Sequence, residues 1–170
     1  VPIIVKPSAE AGARDFIRLR AELMTDPSIS DETVDEVRVP LVFGLNLSAS
    51  QVRGVRPGAT TNLDSLTVFN SGSAYDTFAL EVVGEDADWD VILGRDVVGI
   101  NTGDPVRVAV QVRVAEGVAP GSTRTIRIEA RSRSDGSVRA SVELLLIALD
   151  TGGQTPDPAR LRTYLPMVSQ

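Results

Sequence analysis

The 170-residue chain contains no cysteine and no histidine. These absences exclude disulfides, zinc fingers, thiol nucleophiles, Cys/His metal sites and every Ser-His-Asp arrangement. Lysine occurs once, at Lys6, beside Pro7, so a catalytic amine has a single candidate. No apolar run approaches the roughly 18–20 residues of a membrane-crossing helix, and no transmembrane segment is expected. Basic residues number 17 against 23 acidic, a net charge of −6 with no basic cluster, which argues against nucleic acid as a partner. Nothing at the start has the basic and apolar character of a signal peptide, and the chain is read as a mature or excised piece of a longer precursor. Apolar residues at 42% nevertheless supply a real core.

Alternation with period two is the dominant pattern. Val106, Val108, Val110, Val112 and Val114 are separated by Arg107, Ala109, Gln111 and Arg113, which predicts a strand with one face on a core. Ile126, Ile128 and Ala130 alternate with Arg127, Glu129 and Arg131. Asp135-Gly136 marks a hairpin turn, expected to use glycine's tolerance of positive φ, and Val138, Ala140, Val142 and Leu144 return. Upstream, Pro57-Gly58 precedes a strand through Leu66 and Val68 that Asn70-Ser71-Gly72-Ser73 breaks. Phe78, Leu80 and Val82 form a strand, and Trp89, Val91 and Leu93 another. Short strands between regular turn signals predict an all-β antiparallel sandwich.

An internal repeat organises the chain. With Gly12 set on Gly121, the sequence runs without a gap from Val5/Val114 to Ala21/Ala130. The repeat assigns a strand to Asp15–Met24, the one stretch that could pass for a helix. A longer loop is expected around Asp26-Pro27, followed by a strand through Val37, Val39, Leu41, Phe43 and Leu45. Residues 1–47 thus read as the last three strands of a partial second β-sandwich, 48–150 as a complete one, and 151–170 as a linker and C-terminal tail. Three strands with one apolar face need a cover. A protein partner or self-association through residues 1–47 is expected, with the tail's Leu161, Tyr164, Leu165 and Met167 as the other source of a covering strand.

The stretch from Val55 to Asp150 resembles bacterial and archaeal Ig-like modules of the alpha-galactosidase-associated and bacterial cell-adhesion-related type. The likeness rests on Arg56-Pro57-Gly58, Val68-Phe69-Asn70-Ser71-Gly72, Tyr75-Asp76-Thr77-Phe78, the Trp89 strand, the valine strand, Pro120-Gly121 and the paired strands 124–131 and 138–148. It implies an Ig-like fold, tandem occurrence on secreted or cell-surface proteins, often beside a hydrolase, and no catalysis by the module itself. Tyr164-Leu165-Pro166-Met167-Val168 is similar to tails that end some bacterial secreted proteins, which also implies an extracellular or cell-surface location.

Candidate sites are few. Asp86, Asp88 and Asp90 imitate the opening of a calcium loop, but Val91 stands where the loop needs glycine and Val97 where it needs glutamate. They read as a solvated acidic loop and as weak metal candidates; no cofactor is implied. Asp26, Asp31, Glu32, Asp35 and Glu36 form a second acidic group, which could bind calcium or keep a strand edge soluble; without ligand spacing it is read as the latter. No carboxylate pair is marked by a cleft, so the chain is read as non-catalytic. Trp89 and Phe78 fall on inward phases. Tyr75, Phe69 and Tyr164 remain as surface aromatics for a sugar ring, and Asn46-Leu47-Ser48 is a glycosylation sequon by form. The reading is a structural or adhesive module; the alternatives are a carbohydrate-binding accessory module and a subunit of a strand-exchanged filament.

Overall fold

The computed structural model describes residues 4, 8–84 and 86–150, and these contain strands but no helix. The first two strands, β1 (Arg14–Leu23) and β2 (Asp26–Arg38), form a two-stranded antiparallel sheet of their own. The remaining nine are β3 (Leu45–Ser48), β4 (Val52–Val55), β5 (Thr60–Asn70), β6 (Asp76–Val83), β7 (Trp89–Leu93), β8 (Val97–Ile100), β9 (Pro105–Val114), β10 (Thr123–Ser132) and β11 (Arg139–Ala148). They build two sheets, ordered β4-β11-β10-β6-β8 and β3-β5-β9-β7. The chain is thus all-β, an Ig-like sandwich with an extra hairpin in front.

The period-two pattern sets which side chains face inward. On β9 the valines at 108, 110, 112 and 114 are buried while Arg107, Ala109, Gln111 and Arg113 are exposed. Ile126, Ile128 and Ala130 meet them from β10, with Leu144 and Leu146 from β11. Trp89 and Phe78 join this core, at 5% and 0% exposure, as their phases require. Each fully buried aliphatic side chain contributes about 1.5–3 kcal/mol relative to exposure. Leu146 and Ile147 are both buried although they point to opposite faces, so this end of β11 is apolar on both sides.

The structure differs from the sequence reading in four places. The domain boundary at 47/48 cuts β3, whose residues Leu45–Ser48 pair with Asn70–Thr67 of β5; β3 belongs to the complete sandwich. No loop surrounds Asp26-Pro27: both lie in β2, and the chain reverses at Met24-Thr25 beside an irregularity at Glu22/Leu23. Val39, Leu41 and Phe43, expected in a strand, lie in the connection between β2 and β3. Among the described residues before β3 there are two strands, β1 and β2; the stretch aligned with the valine strand, expected as the first of three, lies largely outside the described residues. Gly136 is not at positive φ. Asp135 makes that turn instead, accepting the N–H and hydroxyl of Ser137 at 2.9 and 2.6 Å, while the Arg131 guanidinium occupies the space a Gly136 side chain would need.

Two short strands, β4 and β8, carry too few alternating residues to stand out in the sequence. β4 matters most, because it pairs with β11 in parallel, whereas the other paired strands among the described residues are antiparallel. Leu145 donates its N–H to the Gln51 carbonyl at 2.6 Å and Leu149 to that of Val55 at 2.7 Å, closing the edge of β11.

Candidate interaction surface

The repeat seen in the sequence is also a repeat of backbone geometry. Gly12 and Gly121 both lie at positive φ, 80° and 84°, where a Cβ is strained. The Gly12 N–H donates to the Val39 carbonyl at 2.9 Å, and the Gly121 N–H to that of Ala148 at 2.8 Å. Val39 donates to Ala13 and Ala148 to Ser122, both at 2.8 Å; Ala13 donates to Glu10 at 3.0 Å and Ser122 to Ala119 at 3.1 Å. The strands keep the same spacing: Ile17 lies opposite Asp35 as Ile126 lies opposite Leu144, and Ala21 opposite Asp31 as Ala130 opposite Ala140. Along their paired strands hairpin β1–β2 repeats hairpin β10–β11; they part at the turn, where Leu23 pairs with Asp26 but Ser132 donates to Val138.

Their surroundings differ. Hairpin β10–β11 is flanked by β6 on one edge and β4 on the other, and its inner face packs on the opposing sheet. Hairpin β1–β2 has neither flanking strand nor facing sheet among the described residues. Leu19 is 44% exposed, whereas its counterpart Ile128 is fully buried. Leu23 and Ile29, on the same face as Leu19, are likewise exposed.

The other face is mainly charged, with Phe16 and Val34 exposed among the charges. Arg18 pairs with Glu32 at 3.0 Å, Arg14 and Arg38 with Glu36 at 3.7 and 2.7 Å, and Arg20 with Glu22 at 3.0 Å. Such exposed pairs contribute at most about 1 kcal/mol each; their use is to keep that face in water. The acidic group of the sequence is therefore split by the pleat. Glu32 and Glu36 take part in these pairs, while Asp31 and Asp35 stand on the apolar face. Asp26 holds the start of β2, and the hydroxyl and N–H of Ser28 keep its carboxyl below the usual range.

The remaining candidates lie apart from this surface. The Asp86 carboxylate accepts the N–H groups of Asp88 and Trp89 at 2.9 and 3.0 Å, and its second oxygen lies 3.3 Å from the Arg124 guanidinium. Asp90 faces Arg113 at 3.9 Å, so the structure does not converge the three carboxylates on one point. Tyr75 is exposed and lies over Gly99, whose missing side chain leaves room for the ring; Phe69 is half-buried on β5. Asn46 is exposed on edge strand β3. Lys6, Tyr164 and the tail lie outside the described residues.

A polar cluster that the sequence reading missed sits at one end of the sandwich. Asp76, buried at the start of β6, accepts the Ser132 hydroxyl at 2.5 Å, the Ser134 hydroxyl at 2.7 Å and the Thr77 N–H at 2.7 Å. Burial pushes its carboxyl up, but these hydrogen bonds, with one from the Ser134 backbone, outweigh it and hold the group below the ordinary value. Buried Asn70 donates to the carbonyls of Ala74 and Ile100 at 2.8 and 2.9 Å and accepts the Gly72 N–H at 2.9 Å. This is why the strand breaks at Asn70. A serine on the inward phase after Ala130 was the available signal for Asp76.

No protein-family model matches the chain, and no curated protein matches it. Solved structures do. A FixG-related protein from Vibrio parahaemolyticus is similar at 16% identity with a TM-score of 0.46, over 62% of this chain and 95% of that one. A PapD-like domain of human CEP192 is similar at 11% identity and 0.45, over 65% of this chain and 88% of that one. The E. coli chaperone DraB is similar at 19% identity and 0.45, over 67% of this chain and 58% of that one. These likenesses are of fold alone, to Ig-like and PapD-like β-domains.

Proposed function

We propose that the chain is a non-catalytic structural module of a secreted or cell-surface protein, a rigid unit set end to end with its neighbours. The observation that carries this reading is the position of the two connections. The chain enters at Gly44, whose carbonyl accepts the Ser71 N–H at 3.1 Å, with Val42 held to Ser73 just before it. It leaves past Leu149, bound to Val55 at the far end of β4 and β11. Because β3 pairs with β5 from Asn70 and β11 runs away from that end, entry and exit lie at opposite poles. Tension between them pulls β3 and β11 along their own axes, so every hydrogen bond of a ladder resists at once. The likeness to bacterial and archaeal Ig-like modules, and the extracellular setting it implies, belong to this proposal.

Force applied between residues 44 and 150 tests it. A single rupture of the whole sandwich, at forces well above those that unzip a hairpin from its open end, is the expected outcome. Stepwise peeling at low force overturns the spacer role. A carbohydrate-binding role is the second reading, favoured by exposed Tyr75 above Gly99. Retention on immobilised glycans, lost in Tyr75→Ala, would establish it instead.

A further inference from the structure

The uncovered hairpin indicates what covers it, because the molecule contains the same hairpin covered. We propose that the apolar face of β1–β2, with Ile17, Leu19, Leu23, Ile29 and Val37, is the closing hairpin of a second Ig-like sandwich, whose other strands come from upstream sequence of the same polypeptide. This rests on the tandem-module reading above and extends it by naming the partner and its geometry.

The buried twin defines that geometry. By equivalence, an antiparallel strand runs along the outer edge of β1 as β6 does along β10. A parallel strand flanks the end of β2 as β4 flanks β11. A sheet equivalent to β3-β5-β9-β7 lies across the apolar face. The parallel strand meets one restriction: the position equivalent to Leu149, which donates to Val55, is Pro40, which has no N–H to give. That ladder is therefore one bond shorter.

Charge narrows the partner further. Asp35 stands where the twin has buried Leu144, and Asp31 where it has half-buried Ala140. A cover that left Asp35 in an apolar site would bury an unpaired carboxylate, which is strongly disfavoured. The covering sheet must present arginine or lysine opposite Asp35. The same charges argue against a second copy of this chain. Two such hairpins face to face would set Asp15, Asp31 and Asp35 of one against their equals, and the strands of 45–150 are already paired among themselves.

The test compares the 170-residue chain with the polypeptide extended upstream in its own reading frame by a stretch equivalent to residues 45–109, because residue 1 is the equivalent of residue 110. In the 170-residue chain, amides of β1 and β2 should exchange with solvent much faster than those of β10. In the extended chain they should slow to within about tenfold of the β10 amides, as members of one cooperative unit. Leu19→Asp in the extended chain should abolish that protection while the melting of 45–150 stays unchanged, and Arg18→Asp on the charged face should retain it. An upstream frame without alternating strand patterns, or an extended chain whose hairpin still exchanges fast, overturns the proposal. So does protection that appears in the 170-residue chain only as concentration rises, because a second copy would then be the cover. None of these outcomes bears on the pulling experiment, which loads residues 44–150 alone.

Discussion

The Ser132 hydroxyl donates to the Asp76 carboxylate at 2.5 Å, joining the end of β10 to the start of β6 inside the sandwich. Fifty-six residues separate them in sequence. The bond lies where two strands begin and end, and it closes the pole through which the chain enters.

Replacing Asp76 with alanine leaves two serine hydroxyls and the Thr77 N–H without their acceptor. Hydrogen bonds to a charged group contribute about 1.5–3 kcal/mol, so a loss of ~2–3 kcal/mol is expected. For a domain of this size that lowers the melting temperature by roughly 10 °C. Thermal unfolding followed by circular dichroism would read the change, and an unaltered melt would refute this role.

The same carboxylate makes stability depend on pH. Its folded pKa lies below the ordinary value, so its contribution is complete above the unfolded pKa of about 3.9 and is lost as pH falls through the folded value. Denaturant melts should therefore weaken below about pH 4. Asp76→Asn should show a shallower decline there, with most of its deficit already present at neutral pH.

Val110 is 1% exposed at the centre of β9. Val110→Asp would bury a charge with no partner and should cost more than about 4 kcal/mol, enough to abolish cooperative folding. Loss of dispersed amide shifts in an NMR spectrum is the expected sign.

Calcium should leave the melting temperature unchanged, because the Asp86 carboxylate is already engaged by two N–H groups and Arg124. A ligand at 100 times its dissociation constant would add about 2.7 kcal/mol, which a thermal scan detects. A calcium-dependent rise abolished by Asp88→Asn would reinstate the loop as a metal site.

The two matched glycines give a paired comparison. Alanine at φ 84° costs about 1–2 kcal/mol, so Gly121→Ala should lower the melting temperature of the sandwich. Gly12→Ala meets the same backbone strain, but its hairpin lies outside the sandwich, and the main transition should not move.

The sequence by itself determined the inward face of each long strand, the break at Asn70, the burial of Trp89 and Phe78, and the kinship of Gly12 with Gly121. Alternation and turn chemistry are local, and a pleated strand must turn every second side chain the same way. Tertiary structure alone decided that β4 runs parallel to β11 and that β3 crosses the expected boundary into the sandwich. It also decided that Asp76 is sheltered by Ser132 and Ser134, and that one of two like hairpins is covered and the other is not. Each of these depends on groups far apart in the chain meeting in space, and a period of two cannot say which strand will lie beside which.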